Sequence, residues 1–276
     1  MIQDIFPHKL DNHYYPDRKP VAGSIVLAYR KQDVLVKGDL FPRVSELPAG
    51  CADNLIYLFS LDDDNYFFLD AKDEDMALPE GYELVGVRSF RRSGIAEKYR
   101  VFLAYTGLQL ANWYRGNSFC GWCGKKTFID ANERALRCEC GNVIYPRIVP
   151  AVIVGVTNGD RILVTKYKTG FAHFALVAGF TEIGETLEET VQREVMEEVG
   201  LKVKNIRYYK SQPWGIVDDI LVGFYCDVDG DDTITMDQGE LKVAEWRFRD
   251  EVELQPDDYS LTNEMMKMFK EGKITS

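Results

Sequence analysis

The stretch Gly179–Leu201, GFTEIGETLEETVQREVMEEVGL, constrains this chain more than any other. Five residues separate Gly179 from Glu185, and seven more precede Arg193-Glu194-Val195-Met196-Glu197-Glu198-Val199-Gly200-Leu201. Leu187, Val191, Val195 and Val199 recur at i+4, which predicts a helix with one packed stripe. Glu194, Glu197 and Glu198, at i, i+3 and i+4, share the neighbouring face. Gly200 is the residue type that ends such a helix in a left-handed conformation. Crowded carboxylates repel one another and must be either solvated or neutralised. A solvated acidic face is the plain alternative. The sharper one is a site for a hard divalent cation, Mg²⁺ or Mn²⁺, which takes oxygen ligands.

The 276 residues suffice for two domains with a small module between them. Hydrophobic residues make up 46% and charged residues 28%, ordinary for a soluble globular chain. The longest apolar run, Ile148 to Val156, contains Pro150 and Gly155 and reads as a buried strand, far short of a bilayer span. The opening MIQDIFPHKLDNHYY lacks a signal-peptide pattern, so a cytoplasmic location and no membrane association are expected. A net charge of −11 argues against general nucleic-acid binding, which depends on Lys and Arg, but leaves room for a small phosphorylated ligand.

Residues 1–112 carry no recognisable chemical motif. Strand-like runs at 24–29, 33–37, 54–61, 65–69 and 82–87, with turns at Gln32-Asp33 and 62–65, predict a small mostly-β domain. The run 98–114 is more helical, with Leu103, Leu110 and Trp113 able to share a packed face. Cys51 reads as a small buried hydrophobe. His8 and His13 have no partner visible in the sequence.

Residues 113–147 hold two cysteine pairs, Cys120/Cys123 and Cys138/Cys140, each followed by glycine and separated by residues 124–137. Four thiolates at such spacing fit one tetrahedral, structural Zn²⁺. The second pair is CxC and one residue short, so a three-cysteine site or a metal-free loop stand as alternatives. Lys125, Lys126, Arg134 and Arg137 lie nearby, but so do Asp130, Glu133 and Glu139, so no strongly basic surface is expected.

In residues 148–276, strands are expected at 150–157 and 161–166 around the turn Asn158-Gly159-Asp160, and at 174–178, 203–210, 220–227 and 243–248. A helix is expected at 262–271, with Met265, Met266 and Phe269 in the core.

At every defining offset, Gly179–Leu201 resembles the signature of the Nudix hydrolases. The resemblance implies an α+β Nudix fold, a mixed sheet sandwiched between helices, and hydrolysis of a nucleoside diphosphate linked to another group. It makes Glu194 and Glu198 metal ligands, and Glu197 a third carboxylate acting as ligand or base. It adds the backbone carbonyl of Ala178 and, downstream, Glu240 as further ligands. Glu185 and Arg193 become a structural salt bridge, and two or three Mg²⁺ or Mn²⁺ ions are implied.

The run LANWYRGNSFCGWCG, followed by YPRIVPAVIV, places the cysteine module directly before that domain and resembles the bacterial NADH pyrophosphatase (NudC) family over residues 100–276. This resemblance implies cleavage of NAD(H) to nicotinamide mononucleotide and AMP by a homodimer. Phe180 and Tyr145, the latter given to the partner's site, match aromatic substrate contacts. Glu133 matches a contact in the zinc module, Arg88 a basic contact from the first domain, and Gln212, Pro213 and Trp214 part of a motif of the form SQPWPFPxS.

The chain departs from that motif after Trp214, reading Gly215-Ile216-Val217-Asp218-Asp219. Lost prolines remove fixed φ angles. Two carboxylates near a dinucleotide would repel phosphate unless they face a metal, a ribose hydroxyl or solvent. ADP-ribose, another dinucleotide and NAD-capped RNA are therefore alternative substrates. A non-catalytic nucleotide sensor is the alternative of a different class, weakened by the retained glutamates.

Overall fold

The computed structural model describes every residue except 73–76, 93, 95, 171 and 275–276. The chain forms two compact units. One comprises Gln3–Arg147 with Gly215–Asp218, and the other Met1–Ile2, Ile148–Trp214 and the chain from Asp219 onward.

The first unit contains β1 (Leu10–Asp11), β2 (Ile25–Arg30), β3 (Asp33–Val36), β4 (Ile56–Leu61), β5 (Asp64–Asp70) and β6 (Glu83–Gly86) in one sheet of order β1-β4-β5-β2-β3-β6. β2 and β5 run parallel and the other neighbours antiparallel. Arg30 already pairs with Asp33, so the tight turn lies at Lys31-Gln32, one residue before the place expected. Leu61 likewise pairs with Asp64, leaving Asp62-Asp63 as the turn, with Asp62 at φ 53°. Two helices follow, α1 (Val87–Arg92) and α2 (Lys98–Gly116). Leu103, Leu110 and Trp113 are buried on α2, as their spacing predicts. The helix lies directly on β2. Tyr29 Oη donates to Ala104 O at 2.7 Å, and a Cβ on Gly107 would stand 2.4 Å from Leu27 Cδ1. Short strands β7 (Phe128–Ile129), β8 (Leu136–Arg137) and β9 (Val143–Ile144) form a small separate sheet around the cysteines. The N-terminal part is thus a mostly-β domain, as expected.

The second unit is built on β10 (Val149–Asn158), whose two faces explain the long apolar run. Val152, Val154 and Val156 belong to one core cluster, while Ile153 belongs to the other. Side chains alternate across a strand, so a strand covered on both faces is apolar at successive positions. β11 (Arg161–Tyr167) follows through the turn Gly159-Asp160, with Gly159 at φ 63°. Next come β12 (Val177–Phe180), α3 (Leu187–Val199), β13 (Val203–Trp214), β14 (Asp219–Val228), β15 (Leu241–Phe248) and α4 (Leu261–Lys270). The sheet order is β13-β14-β10-β11-β15, with β12 also paired to β10. β14 runs parallel to β10 from Val149↔Asp219 to Thr157↔Asp227.

Helix α3 covers one face. Val191, Val195 and Val199 are fully buried against Val152, Val154 and Val156. Helix α4 covers the other, with Met265, Met266 and Phe269 fully buried beside Ile153 and Tyr225. Burying each such side chain contributes roughly 1.5–3 kcal/mol. The result is the α+β sandwich expected. Strand β13 runs past the expected 203–210, because Ser211 to Trp214 continue it and pair with Val222 to Asp219. Pro213 is tolerated there because β13 is an edge strand. Among the described residues no helix is long and apolar enough to cross a membrane.

Candidate active site and metal centre

Helix α3 begins at a reciprocal cap. Thr186 Oγ1 accepts from Glu189 N at 3.2 Å, and Glu189 Oε2 accepts from Thr186 N at 2.7 Å. It ends at Gly200, φ 70°, whose N–H bonds Met196 O at 3.0 Å. The three glutamates between share a face but not an environment. The Glu197 side chain is 61% exposed, that of Glu194 13%, and Glu198 is 3% exposed overall. The face therefore runs from solvent into the interior within one turn.

Glu194 explains Gly179. A Cβ built on Gly179 would lie 1.9 Å from Glu194 Cδ, so only glycine lets this carboxylate rest on the β12 backbone. Arg193 binds the rest together. Its Nε and Nη2 grip Glu185 Oε1 and Oε2 at 2.6 and 3.0 Å. Nη1 meets Glu194 Oε1 at 2.7 Å and Glu197 Oε2 at 3.0 Å, and Nη2 also donates to Phe180 O at 2.8 Å. The guanidinium, chiefly, holds the Glu185 carboxyl down at about 2.

Burial pushes the Glu198 carboxyl up to about 8. Tyr167 Oη donates to its two oxygens at 3.1 and 3.4 Å, and a backbone hydrogen bond from Ala178 also favours its ionised form. The charges of Glu194 and Glu240 oppose that ionisation. Glu240, exposed in the loop before β15, thus joins the same electrostatic site. That loop is tied to the end of α3 by Asp237 N to Glu198 O at 2.8 Å and Thr235 N to Val199 O at 2.9 Å. Among the described residues only the four cysteines bring three or more ligand atoms together, so Glu194, Glu198 and Glu240 are not a closed ligand set, but their carboxylates are the hard oxygen donors that Mg²⁺ or Mn²⁺ takes. Tyr167 had no signal in the sequence, being one aromatic among many on a strand.

The four cysteine sulfurs all lie within 4.8 Å of one another, with Cys120–Cys140 at 3.6 Å and Cys123–Cys138 at 3.4 Å. A tetrahedron with Zn–S bonds of about 2.3 Å has S···S edges of about 3.8 Å, so the shortened CxC pair still closes the set. Gly124 and Gly141, at φ 72° and 93°, turn the two knuckles. Asn142 Nδ2 and Trp122 N each reach Cys120 Sγ at 3.4 Å. The Asn142 contact, first, lowers the Cys120 thiol to about 6, which prepares a thiolate ligand. These four residues could hold zinc.

The model of the NUDIX domain matches residues 146–269. This region is a NUDIX domain. Curated proteins named NAD-capped RNA hydrolase NudC resemble the chain. That of Klebsiella pneumoniae (strain 342) is 43% identical over 159 residues, 56% of this chain and 60% of the relative. That of Enterobacter sp. (strain 638) is 44% identical over 158 residues, again 56% and 60%. The chain thus matches about three-fifths of the length of these relatives. Among solved structures, a NUDIX hydrolase from Nitrosomonas europaea aligns with a TM-score of 0.48 at 20% identity, over 56% of this chain and 91% of that one.

In the Nudix domain Phe180 ends β12 with 52% of its surface exposed. Gln212 is fully buried. Its Nε2 donates to Tyr259 O at 2.7 Å and its Oε1 accepts from Leu261 N at 2.6 Å, anchoring the start of α4. The expected substrate contact at Gln212 is therefore corrected to a packing role, because its amide has no open surface. Pro213 is exposed and Trp214 half-buried. In the other unit, Tyr145 Oη donates to Glu133 Oε1 at 3.0 Å, which also takes Arg137 Nη2 at 2.8 Å. Arg88 is exposed on α1.

In the segment that departs from the motif, one acidic residue is paired and the other buried. Asp218 pairs with Arg147 at 2.9 Å, and Asp219 is buried. Of the two carboxylates expected near the substrate, one is therefore paired with an arginine and the other enclosed. Gly215 lies so close to α2 that a Cβ would stand 2.4 Å from Tyr105 O, so a proline ring has no room there. His8, whose partner is not visible in the sequence, meets Asp62 Oδ2 through Nδ1 at 2.8 Å.

Proposed function

We propose that this chain is a divalent-metal-dependent Nudix hydrolase acting on the diphosphate of NAD(H), whether free or as an RNA 5′ cap. The observation that carries the reading is the α3 arrangement: Glu194 seated on Gly179, Glu198 buried beside Tyr167, and Glu240 contributing to the same field. The reading is consistent with the name of the relatives and with the exposed Phe180, whose flat ring suits a nicotinamide or adenine.

In this mechanism Glu194, Glu198 and Glu240, with the Ala178 carbonyl, would hold two or three Mg²⁺ or Mn²⁺ ions. When bound, such ions neutralise the diphosphate and lower the pKa of the attacking water. Arg193 keeps Glu185, Glu194 and Glu197 in register. Glu197, the most exposed of the three, serves as outer ligand or base. A water oxygen adds to one phosphorus as the bridging P–O bond breaks, the water's proton passing to a base such as Glu197 or to solvent, and nicotinamide mononucleotide leaves with AMP from the free dinucleotide or with 5′-monophosphate RNA from the cap. The cysteine module holds one structural Zn²⁺. Tyr145 and Glu133 contact substrate in a homodimer, and the protein works in the cytoplasm.

A second substrate reading rests on Gly215–Asp218. With Asp218 answered by Arg147, this loop differs in shape and charge from a proline-rich one, which keeps ADP-ribose and other dinucleotides in play. The test is a product-resolved panel of NADH, NAD⁺, ADP-ribose and NAD-capped RNA with Mg²⁺ or Mn²⁺. Nicotinamide mononucleotide should dominate, together with AMP from free NAD(H) or 5′-monophosphate RNA from the cap. Glu198→Gln should cut turnover by about 10²-fold or more with a smaller change in substrate affinity. Near-normal turnover in Glu198→Gln would remove the assignment, and fast cleavage of ADP-ribose alone would move it to the second substrate.

A further inference from the structure

The N-terminal sheet carries a cavity of about 330 Å³ that the chemistry above does not use. It opens on one face of β5. Asp64 and Tyr66, two residues apart on that strand, project to the same side. Leu61, opposite Asp64, and Ile25, opposite Tyr66 on β2, line it too. Tyr82 and Tyr99 add aromatic surface.

Tyr66 is the decisive group. It is only 3% exposed, and its ring lies tilted against that of Phe59 at 5.4 Å, yet among the described residues its hydroxyl meets no hydrogen-bond partner. Tyr66 lines the cavity together with Asp62, Asp64 and Arg100. The Tyr66 oxygen is not among the enclosed polar atoms left without a partner, so it stays open to the cavity and available to a ligand.

Several of the wall charges already have partners. Arg100 is paired with Asp39, His8 with Asp62 at 2.8 Å, and Tyr82 Oη donates to Glu46 at 3.0 Å. The formally charged wall residues are Arg43 and Arg100 against Glu46, Asp62 and Asp64, a balance of −1 with His8 neutral. That balance disfavours a phosphate. Tyrosine rings, a free hydroxyl and the exposed Asp64 carboxylate suit instead a flat or puckered ring that offers hydroxyl donors.

We propose that this cavity is a second binding site, separate from the Nudix domain, for an uncharged ring compound bearing adjacent hydroxyls. Tyr66 and Asp64 take the hydroxyls and the tyrosine rings take the ring face. Ribonucleosides and monosaccharides share this chemistry.

The test titrates the full-length protein with adenosine, uridine, ribose, glucose and AMP, read by calorimetry and ligand-observed NMR. Binding of a nucleoside or a sugar at or below roughly 10 mM is expected, and which of them binds identifies the source. AMP should bind this site more weakly than adenosine. Tyr66→Phe, which keeps the ring packing, and Asp64→Asn, at an exposed position, should each weaken binding about five- to tenfold. Glu198→Gln should leave it unchanged, which separates this site from the metal site. Absence of binding by every neutral compound, or binding indifferent to both Tyr66→Phe and Asp64→Asn, would overturn the proposal.

Discussion

At the scale of single residues, Gly179 and Glu194 act as one device. The glycine was recognisable in the sequence by its offset from the glutamates, but the reason for it was not. It is a contact between a backbone and a side chain fifteen positions away, and such contacts leave no local periodicity. Gly179→Ala should force the Glu194 carboxylate off β12, since overpacking of this kind costs about 1–3 kcal/mol when the neighbour cannot move freely. Turnover should fall at least about tenfold while the far-ultraviolet spectrum stays native. Full turnover in this variant would show that the position of Glu194 does not matter. Gln212 teaches the opposite lesson. It sits in a four-residue run that matches a substrate motif, yet its amide is consumed at the start of α4.

At the scale of elements, α3 was the most legible part of the chain, because its valine spacing, cap and terminal glycine all point to the same helix. Thr186→Ala removes the acceptor for Glu189 N and should lower stability by about 1 kcal/mol, measured by urea titration with activity retained. An unchanged midpoint would mean that packing of the valines alone sets the helix start. The ladder of β13 and β14 carries a second testable feature. Asp227 on β14 takes Arg207 Nη1 and Nη2 from β13 at 3.0 and 3.1 Å, Asn205 Nδ2 at 2.9 Å and, from β10, Thr157 Oγ1 at 2.9 Å. The Arg207 guanidinium, first among these, holds its carboxyl down at about 2, below the 3.8 of an unperturbed aspartate. A depressed folded-state pKa stabilises the fold above the unfolded value, and that stability is lost as pH falls through the folded one. The advantage of the native chain over Asp227→Asn, roughly 1–2 kcal/mol at pH 5, should therefore fade between about pH 4 and pH 2. Unfolding free energies measured across that range decide it, and a pH-independent difference would be the contrary result.

At the scale of the whole molecule, the two units differ in how they hold together. The Nudix domain buries two clusters on the two faces of β10, whereas the cysteine module has three two-residue strands and little core of its own. So small a module needs a metal staple. The purified chain should carry about one zinc, and Cys140→Ser should release it and lower the melting temperature of the first unit. Metal analysis beside calorimetry tests this, and zinc retained in full by Cys140→Ser would leave a three-cysteine site.

What the sequence determined alone follows from short-range regularity. Helical and strand periods, glycine turns, the α+β class, the mostly-β first part, the thiol spacing and the glutamates of the box were all set by residues within a few positions of one another. Tertiary structure decided whatever depends on distant neighbours. It placed Tyr167 on Glu198, Arg147 on Asp218 and His8 on Asp62, and it turned the acidic loop into one ion pair and one buried carboxylate. The physical reason is that burial and charge compensation are properties of a position in space. Glu194, Glu197 and Glu198 look equivalent along the chain, and only the packing of β11, β12 and the loop before β15 around α3 leaves one in solvent, one against a backbone and one in the interior.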